Sequence, residues 1–101
     1  MEKKIIWTET SQNQLEEIYF YLLEETKSFE IADKVIDSLS DSVKILETNW
    51  NIFETDEMRI PLNENYRAFE KFSYRISYKI TTEFIYILRV RHTSRNLKFY
   101  K

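Results

Sequence analysis

The side chains that could do chemistry in this sequence are mostly cations, and most of them lie in its last third. Residues 67–101 carry nine Lys or Arg against two Asp or Glu, a net charge of +7, whereas residues 1–66 carry six against fifteen, a net charge of −9. Lys and Arg neutralise phosphates, and a tyrosine can stack on a base or carry a proton. The candidate residues are Tyr66, Arg67, Lys71, Tyr74, Arg75, Lys79, Arg89, Arg91, His92, Arg95, Lys98, Tyr100 and Lys101.

This division of charge predicts a polyanion or an acidic peptide as the partner of the basic part. The alternative is that helices carry the carboxylates, while strands carry Lys and Arg only for solubility and edge protection. Single residues have structural alternatives too. Arg75 can be a solvated strand cation, His92 a strand-end histidine bonded to the backbone, and Tyr100 a residue that packs on the sheet.

Other kinds of catalytic site have no support in the sequence. There is no Walker loop, no dinucleotide-binding fingerprint, no Cys/His metal spacing and no Ser-His-Asp pattern. Adjacent carboxylates such as Glu16 and Glu17 point apart on a helix, so we expect them to be solvated. The sequence therefore predicts neither a metal nor a cofactor.

The cysteine count and the hydropathy pattern bear on the compartment. Because the chain has no cysteine, it has no disulfide framework, and an intracellular location is the default. The apolar part of residues 1–7 is too short for a signal peptide, and no run approaches the roughly 20 apolar residues of a membrane span. We expect a cytoplasmic protein without membrane contact, formed by one domain over residues 1–101.

Strands are the elements that must position the cations. Apolar side chains at Tyr74, Ile76, Tyr78 and Ile80 alternate with Arg75, Ser77 and Lys79, which predicts a strand with one dry and one cationic face. Strand-length runs also precede it from Tyr66 and follow it after a polar break at residues 81–83. Three antiparallel strands result, and the short apolar run in residues 3–8 predicts a first strand at the edge of the same sheet.

Two helices are predicted to cover the dry face. One apolar stripe, at a spacing of 3.6 residues, indicates a helix over about residues 10–25, and Ser28 can cap a second helix that runs to about Glu47. The stripes are Leu15, Ile18, Tyr19, Leu22 and Leu23, then Ile31, Ala32, Val35, Leu39, Val43 and Leu46.

The predicted fold is therefore α+β with two layers, in the order β-α-α-β-β-β, with a helix hairpin packed on a small, mainly antiparallel sheet. Residues 49–65 lack periodicity and are expected to form a connecting loop. Because the chain has no glycine, we expect Asn63, Asn65 and Asn96 to take any positive φ that a turn requires.

Two segments carry a resemblance to a known family. The pattern Tyr74-Arg75-Ile76-Ser77-Tyr78, followed by an aliphatic strand that ends in His92-x-x-Arg95, resembles the C-terminal half of the RelE/ParE family of toxins from bacterial type II toxin–antitoxin modules. A first strand with a tryptophan and a two-helix hairpin agree with the same family, so the resemblance covers nearly the whole chain.

The resemblance implies a toxin held inactive by a cognate antitoxin, in a toxin–antitoxin hetero-oligomer. One branch of the family cleaves mRNA at the ribosomal A site, and this is the activity we expect here. The other branch poisons DNA gyrase without cleaving RNA and is the alternative. A third possibility is a degenerate member of the family that only binds its partner. Arg75 and the His-x-x-Arg pattern occur in both branches, and Phe69 stands near the place of a lysine found in the best nucleases.

Under the nuclease hypothesis the resemblance assigns roles to single residues. Cleavage of RNA without a metal needs a base, a cation for the developing phosphorane charge and an acid. Arg75, His92 and Tyr100 are then the catalytic candidates, with His92 or Tyr100 moving protons. The RNA- or phosphate-binding candidates are Arg67, Lys71, Arg91, Arg95 and Lys98.

Overall fold

The computed structural model describes residues 2–93, and the predicted order of elements is confirmed. The elements are β1 (Lys4–Trp7), α1 (Glu9–Thr26), α2 (Phe29–Val43) followed by a 3-10 turn (Lys44–Glu47), β2 (Tyr66–Lys71), β3 (Tyr74–Ile80) and β4 (Phe84–His92). The four strands form one open sheet in the order β1-β4-β3-β2. The first strand pairs in parallel with β4, and the other pairs are antiparallel.

The helix hairpin begins and turns at capped positions. Thr8 caps α1 by accepting a hydrogen bond from the Ser11 amide, and Ser28 caps α2, as predicted, by accepting from the Ile31 amide. Between them Lys27 takes a left-handed φ of 57°, which ends α1 and lets the chain reverse. The α-helical part of the second helix ends at Val43, four residues earlier than Glu47, where the 3-10 turn ends.

The core lies between the hairpin and one face of the sheet. Leu39 and Leu46 are fully buried against Ile76, Tyr78 and Ile87, which are fully buried as well. Burial of each large apolar side chain contributes roughly 1.5–3 kcal/mol before entropy is subtracted, so this layer fixes the sheet under the helices. No helix in the described part of the chain is long and apolar enough to cross a membrane.

The turn between β2 and β3 corrects one expectation. Its two residues, Phe72 and Ser73, both have positive φ, 51° and 64°. This backbone matches the twist of a two-residue hairpin, even though glycine and asparagine adopt it at lower cost. Asn63 and Asn65 do not take positive φ, and the Asn63 side chain instead accepts a hydrogen bond from the Asn65 amide at 2.9 Å. Asn96 lies outside the described residues.

Two irregular features position the site. The connecting loop follows the outer edge of β2, where the Asp56 amide donates to the Tyr66 carbonyl at 2.7 Å and Thr55 bridges Arg67. In β4, Leu88 is an additional residue, since Ser77 pairs with Arg89 while Tyr78 pairs with Ile87. This bulge shifts the alternation of β4, so that side chains after it change face.

Candidate functional site

The face of the sheet away from the helices carries a cavity of about 470 Å³, which we call the open-face cavity. Strands β2, β3 and β4 form its floor, and the connecting loop forms one wall. It collects four arginines and two carboxylates together with apolar side chains from the loop. Its lining includes Asp56, Met58, Arg59, Ile60, Glu70, Arg75, Leu88, Arg89 and Arg91.

Arg75 lies on the cavity floor and is already engaged. Its Nη2 donates to Oδ1 of Asp56 at 2.7 Å, and the two side chains are only 20% and 13% exposed. The same carboxylate oxygen accepts from the Met58 amide at 3.0 Å, so the turn that follows Asp56 holds it in place. The Arg75 guanidinium is therefore already bound to a carboxylate of its own chain, that of Asp56.

The bulge in β4 determines which arginines share this face. Arg91 pairs directly with Arg75, and Arg89 pairs with Ser77, so both lie on the same face of the sheet as Arg75 and line the same cavity. On the other side of β3, Glu70 pairs with Arg75. The four guanidinium groups and two carboxylates leave the cavity with a net charge of +2.

Arg67 lies on the other face and has a structural position. It pairs with Tyr78, which is fully buried. Its Nε donates to the Glu64 carbonyl at 2.9 Å and its Nη1 to the Phe53 carbonyl at 2.8 Å. These bonds attach the connecting loop to β2, so Arg67 is not brought together with Arg75.

Tyr78 lies on the face of the sheet that packs against the helices, where it is fully buried. Burial raises the pKa of Tyr78 to about 12, an effect that the nearby positive charge of Arg67 partly opposes. Its hydroxyl donates to the Trp50 carbonyl at 2.9 Å, which ties the loop to the core. Tyr78 is therefore a core residue and stays protonated at neutral pH.

His92 lies at the boundary between the two faces. It pairs with Tyr74, and the two rings meet edge to face at 5.0 Å. It lines the open-face cavity and also a second cavity of about 460 Å³, between the helices and the turn at Phe72 and Ser73. Tyr74 itself is a core residue, 5% exposed. The ring is thus packed against the core side, while Arg75 and Arg91 lie on the opposite face.

The remaining predicted residues divide into two groups. Lys71 is exposed at the end of β2, with its Nζ 4.7 Å from the Phe72 ring, and does not line the open-face cavity. The predictions for Arg95, Lys98 and Tyr100 lie outside the described residues.

Three lining residues were missed by sequence reasoning: Asp56, Arg59 and Glu70. Arg59 stacks on the Tyr66 ring, with its guanidinium carbon 3.5 Å from the ring centre. Arg59 is the basic residue of an otherwise acidic loop, and this was its one signal. No sequence pattern pointed to Asp56, because its partner Arg75 lies 19 residues away in the chain.

The cavity can bind an oxyanion but offers little for metal chemistry. Arginines hold carboxylates or phosphates through paired N–H donors. In residues 2–93, no group of three His, Cys, Asp or Glu side chains is arranged to hold a metal ion.

Comparison with known families agrees with this fold. The sequence model of the ParE toxin of the type II toxin–antitoxin system parDE matches residues 5–97. The chain belongs to this toxin family. The predicted likeness to RelE/ParE toxins is thereby confirmed, and this ParE-family toxin is the toxin component of a type II toxin–antitoxin system.

Two solved structures share the fold of this ParE-family toxin. A chain of the chromosomal ParDE toxin–antitoxin system from P. aeruginosa superposes with a TM-score of 0.76 at 20% identity, covering 92% of this chain and 98% of that one. A chain of the RelBE2 toxin–antitoxin complex from Mycobacterium tuberculosis gives a TM-score of 0.55 at 16% identity, with 91% and 99% covered. Comparison with curated protein sequences gives no significant match.

Proposed function

We propose that this toxin acts by binding DNA gyrase and trapping its cleaved DNA, that a cognate antitoxin neutralises it, and that it does not cleave mRNA. The match to ParE toxins supports this choice of branch, because gyrase poisoning is the activity that the resemblance implies for the ParE-like branch. The proposal departs from the sequence-based expectation of mRNA cleavage.

The observation that carries the proposal is the state of the candidate cations. Arg75 is paired with Asp56 at 2.7 Å, and Arg67 donates to loop carbonyls on the opposite face. A phosphorane needs a cation aimed at the charge that develops on it, with a base and an acid within hydrogen-bond reach. Among residues 2–93 this constellation is not assembled, whereas a surface with mixed charge and exposed apolar side chains suits contact with a protein.

Cleavage of mRNA is the second candidate, and one feature favours it. Arg75, Arg89 and Arg91 line one cavity with His92 at its margin, so a phosphate that entered there would meet several donors. This mechanism requires the Asp56 carboxylate to leave Arg75 first.

The two candidates are separated by assays on the purified chain. Gyrase and relaxed plasmid are incubated with ATP and increasing toxin, then denatured and treated with protease. We expect loss of supercoiling and the appearance of linear DNA. Messenger RNA on programmed ribosomes, incubated with the same toxin, should remain intact. Cut mRNA together with unaffected supercoiling would overturn the proposal in favour of the nuclease.

Neutralisation is tested in the same reaction. The protein encoded beside the toxin is added in equimolar amount, and we expect supercoiling to recover. Asp41→Asn serves as a control toxin, because Asp41 is exposed and pairs with the neighbouring Lys44 on the helix surface. Failure of that neighbouring protein to bind the toxin or to restore supercoiling would contradict the assignment of the antitoxin.

A further inference from the structure

The open-face cavity contains a carboxylate that the proposed function does not explain. Asp56 is held over Arg75 by its side chain and its main chain together. Its Oδ1 accepts from Arg75 Nη2 at 2.7 Å and from the Met58 amide at 3.0 Å, while its own amide donates to the Tyr66 carbonyl at 2.7 Å. In this geometry Arg75, at the centre of the cavity, therefore already binds a carboxylate.

The rest of the lining favours a protein as the external ligand. Ile60 is 91% exposed and Met58 50% exposed at the wall of the cavity, and Leu88 contributes a further apolar side chain. Arg and Met are enriched at the centres of protein interfaces, where apolar contacts surround a few charged anchors. Such side chains offer little to a phosphate backbone.

The charge distribution points the same way. Glu70 faces Arg75 from β2, so a second carboxylate lowers the potential along the floor. A single-stranded nucleic acid is held by a groove of cations that tracks consecutive phosphates, together with stacking platforms. Here Tyr66, an aromatic ring of the cavity, is covered by the Arg59 guanidinium at 3.5 Å.

We propose that the open-face cavity is the docking point for an acidic side chain of the target protein, flanked by apolar residues, and that Asp56 occupies this place until the target displaces it. The inference rests on the proposed function only in that the target is a protein. Because Asp56 competes for Arg75, the apparent affinity for the target is reduced by the fraction of molecules whose Arg75 is free. Asp56 thus sets the affinity of the surface without contacting the target.

The test uses an acidic, apolar peptide and the full-length chain. The probe is an octapeptide of four Leu-Glu repeats, acetylated and amidated, and the comparison probe is an octathymidylate of the same length. Binding is followed by ¹⁵N NMR at the Arg75 Nε and the Met58 amide. The variant is Asp56→Asn, which keeps an oxygen that can accept from the Met58 amide but removes the charge, and the control is Asp41→Asn on the helix surface.

We expect Asp56→Asn to bind the peptide about five- to tenfold more tightly than the unmodified chain, and Asp41→Asn to match the unmodified chain. In the unmodified chain, the Met58 amide should shift with the same dissociation constant as Arg75 Nε, because its acceptor moves when Asp56 is displaced. This readout needs no variant, so it remains decisive if Asp56→Asn folds poorly.

Three outcomes would overturn the inference. They are equal peptide affinity for Asp56→Asn and the control, a Met58 amide that does not move when the peptide binds Arg75, and tighter binding of octathymidylate than of the peptide at the same residues. None of these measurements uses gyrase. Failure of the peptide test would therefore refute the role of Asp56 without refuting the proposed inhibition of gyrase, which the supercoiling assay tests.

Discussion

The pair of Arg75 and Asp56 should contribute more to folding than an ordinary surface ion pair. Their atoms are 2.7 Å apart, and their side chains are 20% and 13% exposed. Two unit charges at about 4 Å attract by about 4 kcal/mol at an effective dielectric constant of about 20, and the desolvation of largely buried charges offsets part of this. Since exposed pairs contribute about 0.2–1 kcal/mol, we expect a coupling energy of about 1–2 kcal/mol.

The measurement is a double-mutant cycle by urea unfolding. Arg75→Ala, Asp56→Ala and the double variant are compared with the unmodified chain, with tryptophan fluorescence as the signal. The control cycle uses Asp41 and Lys44, which are 3.1 Å apart but 68% and 70% exposed, and its coupling should stay below about 0.5 kcal/mol. Equal couplings in the two cycles would refute the reasoning that burial strengthens the Arg75 pair.

Three further predictions concern stability. Lys3→Met should destabilise the fold by about 1–3 kcal/mol in urea unfolding, because the Lys3 Nζ donates to two turn carbonyls at 2.8 and 2.7 Å; the exposed Lys4→Met control should change little. Burial raises the pKa of Tyr78 to about 12 while an unfolded tyrosine ionises near 10, so the folded state should lose stability between about pH 10 and 12. Tyr78→Phe should reduce that loss in pH-dependent unfolding, and an unchanged slope would contradict the prediction. Replacing Phe72 by Asn and Ser73 by Gly should raise the free energy of unfolding by about 1–2 kcal/mol, since both residues have positive φ; a lower free energy of unfolding would show that Phe72 has a packing role.

The fold was predictable because its signals are local. The alternation from Tyr74 to Ile80 gave β3 and its dry face, and the helix stripes gave the residues that pack on it. Ser28 was recognisable as a cap because its oxygen reaches an amide only three residues ahead. The turn at Phe72 and Ser73 was not predictable from residue preference, because the pairing of β2 with β3 imposes a backbone that neither residue favours.

The site was only partly predictable because its contacts are distant in sequence. Arg75 was placed correctly on the open face, but its partner Asp56 comes from a loop without periodicity. The position of Arg67 could have been predicted, because it lies two residues before the buried Phe69 in β2 and therefore on the same, core-facing side of the strand. The faces of Arg91 and His92 depend on the bulge at Leu88, which reverses the alternation and is invisible in a simple period of two.

We propose that this toxin binds gyrase through the arginine floor of the open-face cavity. The most direct measurement is the concentration of toxin that halves gyrase supercoiling, determined for the unmodified chain, Arg75→Ala and Lys44→Ala. We predict that Arg75→Ala needs at least about ten times more toxin, equivalent to about 1.4 kcal/mol, while Lys44→Ala behaves as the unmodified chain does. Equal potency of all three chains, or no inhibition by the unmodified chain, would contradict the claim.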